Sequence, residues 1–281
     1  MISKSKKLLI LFSLLLISSC AAKKEDEKID LVSKDLEKQM IEAYKKGVEA
    51  LDEGDVLYAA KNFNIAENIY PQSIWAPKSV LMSAYAYYSQ DYYGDAIFEL
   101  KRFLENYPNS SYIPYARYLL AICYYEEIED EKRDIEPLLE SKKNFKELIA
   151  NYPDTDFSID AKYKILLIDN LLASKELYVA KYYLEKEKWI AAINRLKVIV
   201  VEYDKTIYVE EALHRLVEVH YKMGLVDESK KYASLLGYNY LSGKWYKESY
   251  RIFNKDYSTL NKEAKKKEGS KIIKNLKNIF N

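Results

Sequence analysis

The sequence predicts an all-α protein in which about five antiparallel helix pairs form a superhelical solenoid. A Tyr-Pro step recurs at Pro71, Pro108 and Pro153, and Tyr203-Asp204 is a degenerate fourth copy, so the copies lie 37, 45 and 51 residues apart. A period in this range is typical of helical repeats. The sequence before each Tyr-Pro step has the same order: small residues first, then a tight turn, then an Ala- and aromatic-rich segment. The chain has only 7 glycines and 6 prolines, and no long alternation of polar and apolar residues indicates a sheet.

The first predicted element is a lipoprotein signal peptide, residues 1–19. Three lysines precede an apolar run over 8–17, and two serines stand before Cys20, which is typical of a secretory signal. The run is shorter than the roughly 20 residues that span a bilayer; a membrane-spanning start with an incidental cysteine is the alternative. Ile17-Ser18-Ser19-Cys20 resembles the lipobox of bacterial lipoproteins, which implies lipidation of the Cys20 thiol and a stable anchor of two or three chains. Ala21 resembles the residue that follows the cysteine in lipoproteins sorted to an outer membrane.

Residues 20–32 predict the lipidated cysteine and a solvated tether, because the segment is short and highly charged. Residues 33–156 predict repeats 1 to 3. The first repeat resembles the 34-residue tetratricopeptide pattern at nearly every marked position. The residues that mark it are Ala43, Gly47, Ala50, Gly54, Ala59, Phe63 and Ala66.

The later repeats keep this pattern with local changes. Residues 157–254 predict an additional helix, repeats 4 and 5 and a C-terminal extension, and 157–187 predicts one long, bent helix. Repeat 3 carries an acidic insertion within 126–140. The matching residues are Ala84, Tyr87, Ala96, Leu100 and Phe103 in repeat 2, Ala121, Tyr124, Phe145 and Leu148 in repeat 3, Ala180, Tyr183, Ala192, Leu196 and Ile199 in repeat 4, and Leu213, Val217 and Gly224 in repeat 5.

Small residues at one repeat position predict where paired helices approach most closely. Gly47, Ala84, Ala121 and Ala180 occupy this position, and a larger side chain there would force the helices apart. Proline then ends each pair because it cannot continue a helix and restricts the residue before it.

Residues 255–281 predict a basic C-terminal tail. Its last part, 262–281, carries seven lysines and two glutamates, with apolar residues at helical spacing. This pattern predicts an amphipathic basic helix on anionic lipid or on a partner, or else a frayed terminus.

Composition excludes two classes of protein. Cleavage after residue 19 removes three of 44 basic residues and none of 43 acidic ones, which leaves a formal charge of −2 and no strong field for nucleic acid. Lipidation of Cys20 leaves Cys123 without a partner, so an intramolecular disulfide is excluded. Cys123 lies in an apolar helical stretch, which predicts a small buried hydrophobic residue.

The sequence predicts no enzyme, no cofactor, no metal and no catalytic residue. Only two histidines occur, His214 and His220, and neither accompanies a convincing nucleophile. Glu211 and His214 form a single Glu-x-x-His motif, whereas di-iron bundles use two with further glutamates. We interpret His214 and Glu218, one helical turn apart, as a surface pair. No glycine-rich phosphate loop is present.

The remaining candidate site is a surface on the first helix of each pair. In the N-terminal repeats its outward positions are aromatic, and tyrosine supplies rigid apolar area with one polar tip, which suits a peptide with apolar and aromatic side chains. Packing between repeats is the alternative role for these side chains. Lys78 and Arg117 lie nearby in sequence and are candidates to meet a terminal carboxylate. The predicted groove residues are Tyr44, Leu81, Tyr85, Tyr88, Tyr115, Tyr118 and Tyr125.

Polarity rises at the corresponding positions of repeats 4 and 5, which include Lys181, Glu185 and Lys222. This change predicts a second surface, for docking a protein. The residues that we assign to it are Lys181, Trp189, Asn194 and Arg195.

The chain resembles the BamD family, lipoproteins of the outer-membrane β-barrel assembly machinery. The resemblance lies in the lipobox, the five repeats, the insertion in repeat 3 and a series of short sequence motifs, called phrases below. The similarity covers nearly the whole processed chain to about residue 254. The phrases are Arg133-Asp134, Tyr152-Pro153-Asp154-Thr155, Asp160-Ala161, Val179-Ala180-Lys181-Tyr182-Tyr183, Ala191-Ala192-Ile193-Asn194-Arg195, Glu211-Ala212-Leu213, Gly224-Leu225, Leu236-Gly237-Tyr238-Asn239-Tyr240, Gly243-Lys244-Trp245-Tyr246 and Ser249-Tyr250. The last three resemble the extension of alphaproteobacterial members.

The resemblance implies a non-enzymatic scaffold on the outer membrane that faces the periplasm. It implies binding to the POTRA domains of BamA through the C-terminal repeats, contact with other assembly lipoproteins, and recognition of C-terminal signals of unfolded β-barrel proteins near the N-terminal repeats. Tyr203-Asp204 departs from the usual Tyr-Pro of repeat 4, which puts details of the partner surface in doubt. The alternative is a tetratricopeptide lipoprotein that recruits proteins of cell-wall remodelling or division.

Overall fold

The computed structural model describes residues 19–127, 134–241 and 243–253, with side chains from residue 33 onward. This part of the chain contains eleven α-helices and no strand, which confirms the predicted all-α class. The helices are α1 (Ser19–Asp52), α2 (Val56–Ile69), α3 (Ala76–Tyr88), α4 (Tyr93–Asn106), α5 (Ile113–Glu126), α6 (Glu136–Asn151), α7 (Asp156–Glu185), α8 (Trp189–Glu202), α9 (Val209–Lys222), α10 (Val226–Asn239) and α11 (Lys244–Phe253).

The helices form two compact units. Helices α1–α6 and the start of α7, up to Ala161, belong to the first unit, and the rest of α7 with α8–α11 belongs to the second. Consecutive helices pack against each other from α1 to α6 and from α8 to α11, and α11 also packs on α9. Helices α7 and α8 share an apolar core that includes Leu177, Ala180 and Leu196. Five pairs, α1–α2 through α9–α10, therefore correspond to the five predicted repeats.

The Tyr-Pro steps end the second helices where the sequence predicts. Helices α2, α4 and α6 end at Ile69, Asn106 and Asn151, two residues before each proline. The next first helices, α3 and α5, carry a proline near their starts, where the missing N–H has no helical partner to lose.

A left-handed residue recurs in the turns inside the first, second, fourth and fifth pairs. Gly54 and Gly224 adopt φ values of 85° and 78°, and Asp91 and Glu187 hold the same place with φ values of 63° and 55°. This conformation is easy for glycine and costs other residues about 1 kcal/mol. The turn geometry is therefore a property of the repeat and not of glycine alone.

Each unit has its own apolar core. In the first unit Phe63, Phe103 and Phe145 are fully buried, and in the second Leu196 and Leu216 are. The small residues at the predicted close approaches are buried as well, and Ala84, Ala121 and Ala180 expose no surface. Cys123 is buried, and burial raises the pKa of its thiol to about 12, so it is an unreactive core residue.

Helix α7 joins two predicted elements into one. The additional helix and the first helix of repeat 4 form a single helix of 30 residues. The backbone of the predicted tether is likewise helical and continuous with α1, since its Ala, Lys and Glu residues are good helix formers. Residues 1–18 of the predicted signal peptide and the basic tail lie outside the described residues, and the assignment of these segments stays a prediction.

No helix in the described part of the chain has the length and apolarity needed to cross a membrane.

Candidate peptide-binding and partner-docking surfaces

An aromatic surface runs across α3 and α5 in the first unit. Tyr85 and Tyr88 lie one helical turn apart on α3, with ring centroids 6.4 Å apart. Tyr115 and Tyr118 occupy the same relation on α5, because residues three apart share a helix face. Burial raises the pKa of Tyr115 to about 12, and the nearby Tyr85 and Tyr88 contribute to this shift. The four tyrosines therefore form one cluster.

Phe157, at the start of α7, extends this aromatic surface. Its ring lies 5.6 Å from that of Tyr115 and 5.3 Å from that of Tyr118. The Tyr118 hydroxyl donates to Asp160 Oδ2 at 2.7 Å, and burial together with this bond raises the pKa of Tyr118. The hydrogen bond fixes the first turn of α7 against α5, so Phe157 is held beside the tyrosines.

A second aromatic cluster lies between α1 and α3. The Tyr44 ring makes edge contacts with Phe63 at 5.2 Å and Trp75 at 5.7 Å. The Lys78 ammonium lies over the rings of Trp75 at 4.9 Å and Tyr44 at 5.6 Å. Tyr44, Trp75 and Lys78 border a cavity of about 410 Å³. Lys45 and Glu49, one turn apart on α1, contribute opposite charges to its lining.

The two candidate cations for a terminal carboxylate differ in their partners. Arg117 forms an ion pair with Glu147, so its charge is already balanced. Lys78 contacts only aromatic rings among the residues that the structure describes, and no carboxylate there pairs with it. Lys78 is therefore the better site for an incoming carboxylate.

The structure corrects one predicted groove residue and adds three others. Leu81 is only 4% exposed and belongs to the core of the first unit, because its position on α3 faces α4 and α5 and not the surface. Tyr85 is exposed, and Tyr44, Tyr88, Tyr115, Tyr118 and Tyr125 are half-buried. The additions are Trp75, Phe157 and Tyr112. Burial raises the pKa of Tyr44, and the nearby Tyr112 hydroxyl contributes to this rise.

These additions escaped the sequence analysis for a common reason. All three lie at the beginning of a first helix or just before it, whereas the repeat pattern marks positions in the helix interior. The sequence signal that identifies such residues is an aromatic side chain within one turn of a helix start.

The predicted docking residues of the second unit lie on α7 and α8. Arg195 is exposed and pairs with Glu176 at 3.1 Å, and Lys181 pairs with Glu211 at 2.9 Å. Asn194 is exposed beside Arg195. Trp189 is half-buried, carries the Lys222 ammonium at 5.7 Å from its ring, and lines a cavity of about 270 Å³. The surface is thus polar, with one aromatic anchor.

The interpretation of His214 as a surface residue is wrong. His214 is 4% exposed, because α11 covers it. Its ring stacks on Trp245 with centroids 4.9 Å apart, and its Nδ1 hydrogen-bonds with Ser249 Oγ at 2.8 Å. Glu218 Oε2 lies 3.6 Å from its Nε2. His214 therefore helps to fasten the C-terminal extension. No group of His, Cys, Asp and Glu side chains suited to a metal ion occurs in the described ranges.

The contact of α11 with α9 is expected to weaken on acidification. Burial lowers the pKa of His214 below its ordinary 6.5, while Glu218, Glu248 and Glu211 oppose and Arg215 reinforces this shift. The unfolded chain then binds a proton before the folded chain does, so stability falls as pH drops below about 6.5. Urea unfolding should show a larger loss for the unaltered chain than for His214→Gln. Equal losses would contradict the prediction.

Comparison with known proteins gives matches over most of the chain. A family model described as an outer membrane lipoprotein, YfiO, matches residues 36–236. The outer membrane protein assembly factor BamD of Caulobacter vibrioides is 34% identical over 238 residues, which cover 85% of this chain and 77% of that protein. The factor of the same name from Rickettsia prowazekii is 36% identical and covers 85% and 92%.

A solved tetratricopeptide repeat protein from Parabacteroides merdae aligns with 77% of this chain and 74% of its own, at 13% identity and a TM-score of 0.35. The overlay is too loose to define the repeats, so the fold described above depends on the helix pairs themselves.

Proposed function

The chain belongs to the BamD family of outer membrane lipoproteins, and on this premise we propose that it acts as an assembly factor for outer-membrane β-barrel proteins. The observation that carries the proposal is the similarity to named assembly factors over 85% of the chain. The protein works as a scaffold: it binds two kinds of partner and catalyses no reaction.

The first partner is the C-terminal signal of an unfolded β-barrel protein. The aromatic surface formed by Tyr85, Tyr88, Tyr115 and Tyr118 supports this role, since stacked and edge-on aromatic contacts add to the free energy of apolar burial. Lys78, which no carboxylate balances among the described residues, provides the charge that a terminal carboxylate requires.

The second partner is the POTRA region of BamA, together with other lipoproteins of the same machinery. The polar surface on α7 and α8 supports this role, because Trp189 is an aromatic anchor surrounded by charged groups and buried aromatic anchors dominate many interfaces. Cys20 carries the lipid that holds the protein on the periplasmic side of the outer membrane.

Photocrosslinking in cells tests both contacts. We expect a photoreactive residue at Tyr85 to capture nascent β-barrel proteins, and one at Asn194 to capture a POTRA-bearing protein. Asn194 is preferred to Arg195 because replacing Arg195 breaks its ion pair with Glu176. Phe98 on α4 is a suitable control, since it is 66% exposed and lies on neither surface. Capture of cell-wall enzymes alone would contradict the proposal and favour the cell-wall adaptor.

A further inference from the structure

We propose that the aromatic surface of the first unit binds its peptide in one direction. The C-terminal carboxylate lies at Lys78, and upstream aromatic side chains extend over α5 to Phe157, which is a further contact residue. This inference rests on the proposed function, because it assigns the orientation of the same ligand.

Electrostatics at the α1–α3 end favours the carboxylate. Lys78 lies over two aromatic rings, and both rings keep its ammonium close to the wall of the cavity that Tyr44 and Trp75 line. Lys45 and Glu49 at this cavity offset each other in charge. A carboxylate that enters here gains a charge-assisted hydrogen bond without displacing an existing ion pair.

Electrostatics at the α7 end disfavours a carboxylate. Asp160 accepts the hydrogen bond from Tyr118, so a negative charge already lies beside Phe157. The nearest cation on α5, Arg117, is paired with Glu147. An entering carboxylate would meet the negative charge of Asp160, whereas an aromatic side chain would meet the rings of Phe157, Tyr115 and Tyr118.

The spacing of the helices sets the length of the ligand. Neighbouring packed helices lie about 10 Å apart, and an extended peptide advances about 3.3 Å per residue. Side-chain proximity links α3 to α5 through Tyr85, Tyr88 and Tyr115, and α5 to α7 through Tyr118 and Phe157. With about 10 Å for each of these two steps, Phe157 lies on the order of six residues upstream of the terminal carboxylate. The ligand class is therefore an extended peptide with a free carboxylate, a terminal aromatic residue and a second aromatic residue upstream.

Photoreactive peptides test the direction on the full chain in detergent. The probe is a ten-residue peptide that ends in phenylalanine with a free carboxylate, with benzophenone either on the last residue or on the seventh from the end. We expect the terminal probe to label Trp75 and its neighbours, and the upstream probe to label residues around Phe157. The opposite labelling would overturn the orientation while leaving the proposed function intact. Failure of both probes to bind would overturn the proposed function and this inference with it.

Affinity measurements separate contact from structural effects. Amidation of the peptide's C-terminus should weaken its binding to the unaltered chain about tenfold. The same amidation should not change its binding to the Lys78→Met variant. Phe157→Ala should weaken binding only of peptides with the upstream aromatic residue, and Ile159→Ala is the matched control because it is 52% exposed on the opposite side of α7. Equal weakening of all peptides by Phe157→Ala would show a structural role and overturn its assignment as a contact.

Discussion

Replacing Arg102 with leucine is expected to lower the free energy of unfolding by about 3–5 kcal/mol. The guanidinium of Arg102, on α4, lies 2.6 Å from a carboxylate oxygen of Glu67 on α2 and 2.7 Å from one of Glu99. Both glutamates are 5% exposed. Asn64 accepts from the same guanidinium, and the Tyr107 hydroxyl donates to Glu67. Removing Arg102 would leave two buried carboxylates close together without a cation.

The loss should depend on burial and not on the removal of an arginine as such. Arg195→Leu is the matched control, because this arginine also pairs with a glutamate on another helix but is exposed; its loss should cost about 0–1 kcal/mol. Chemical denaturation of both variants measures the difference. Similar values would contradict a buried network that joins repeats 1 and 2.

Replacing Gly47 with alanine should also destabilise the protein, by about 1–3 kcal/mol. A Cβ atom at this position would lie 2.8 Å from the ring of Phe63, and Phe63 is fully buried and cannot move aside freely. The overpacking outweighs the gain of about 1 kcal/mol that alanine brings to a helix interior.

Replacing Gly94 with alanine is expected to stabilise the protein, in contrast to the same replacement at Gly47. Gly94 is the second residue of α4, and no atom comes within 4 Å of an added Cβ. Only the gain in helix propensity remains, which is at most the roughly 0.5–1 kcal/mol of a helix interior. Thermal unfolding of the two variants checks the pair. In a Phe63→Leu background the cost of Gly47→Ala should shrink, and a constant cost would refute steric contact as its cause.

Sequence periodicity predicts the helix pairs well because the constraints on them are local. The Tyr-Pro steps determine where α2, α4 and α6 end, and small residues such as Gly47 and Ala84 occupy the close approaches between helices. The merging of the additional helix with repeat 4 is equally local, since 156–185 contains neither proline nor glycine to interrupt it.

The candidate sites were less predictable because they depend on contacts between distant segments. Leu81 shares the outward spacing of Tyr85 and Tyr88 but faces the core. His214 is buried only because α11, which lies about 30 residues later in the chain, covers it. Arg117 and Lys78 are similar cations in sequence, and only the position of Glu147 distinguishes them. In each case the role of the side chain depends on which residues of other helices it contacts, and not on its residue type.

The continuity of α7 restricts where proteases can separate the two compact units. The boundary between them, after Ala161, falls inside a helix of 30 residues and not in a loop. Proteases cleave extended backbone, so a cut here requires local unfolding of several helical turns. Hydrogen exchange of amides near Ala161 would thus report the helix–coil equilibrium of a single shared element, and fragments designed to end at that residue would begin or finish with unpaired helical backbone.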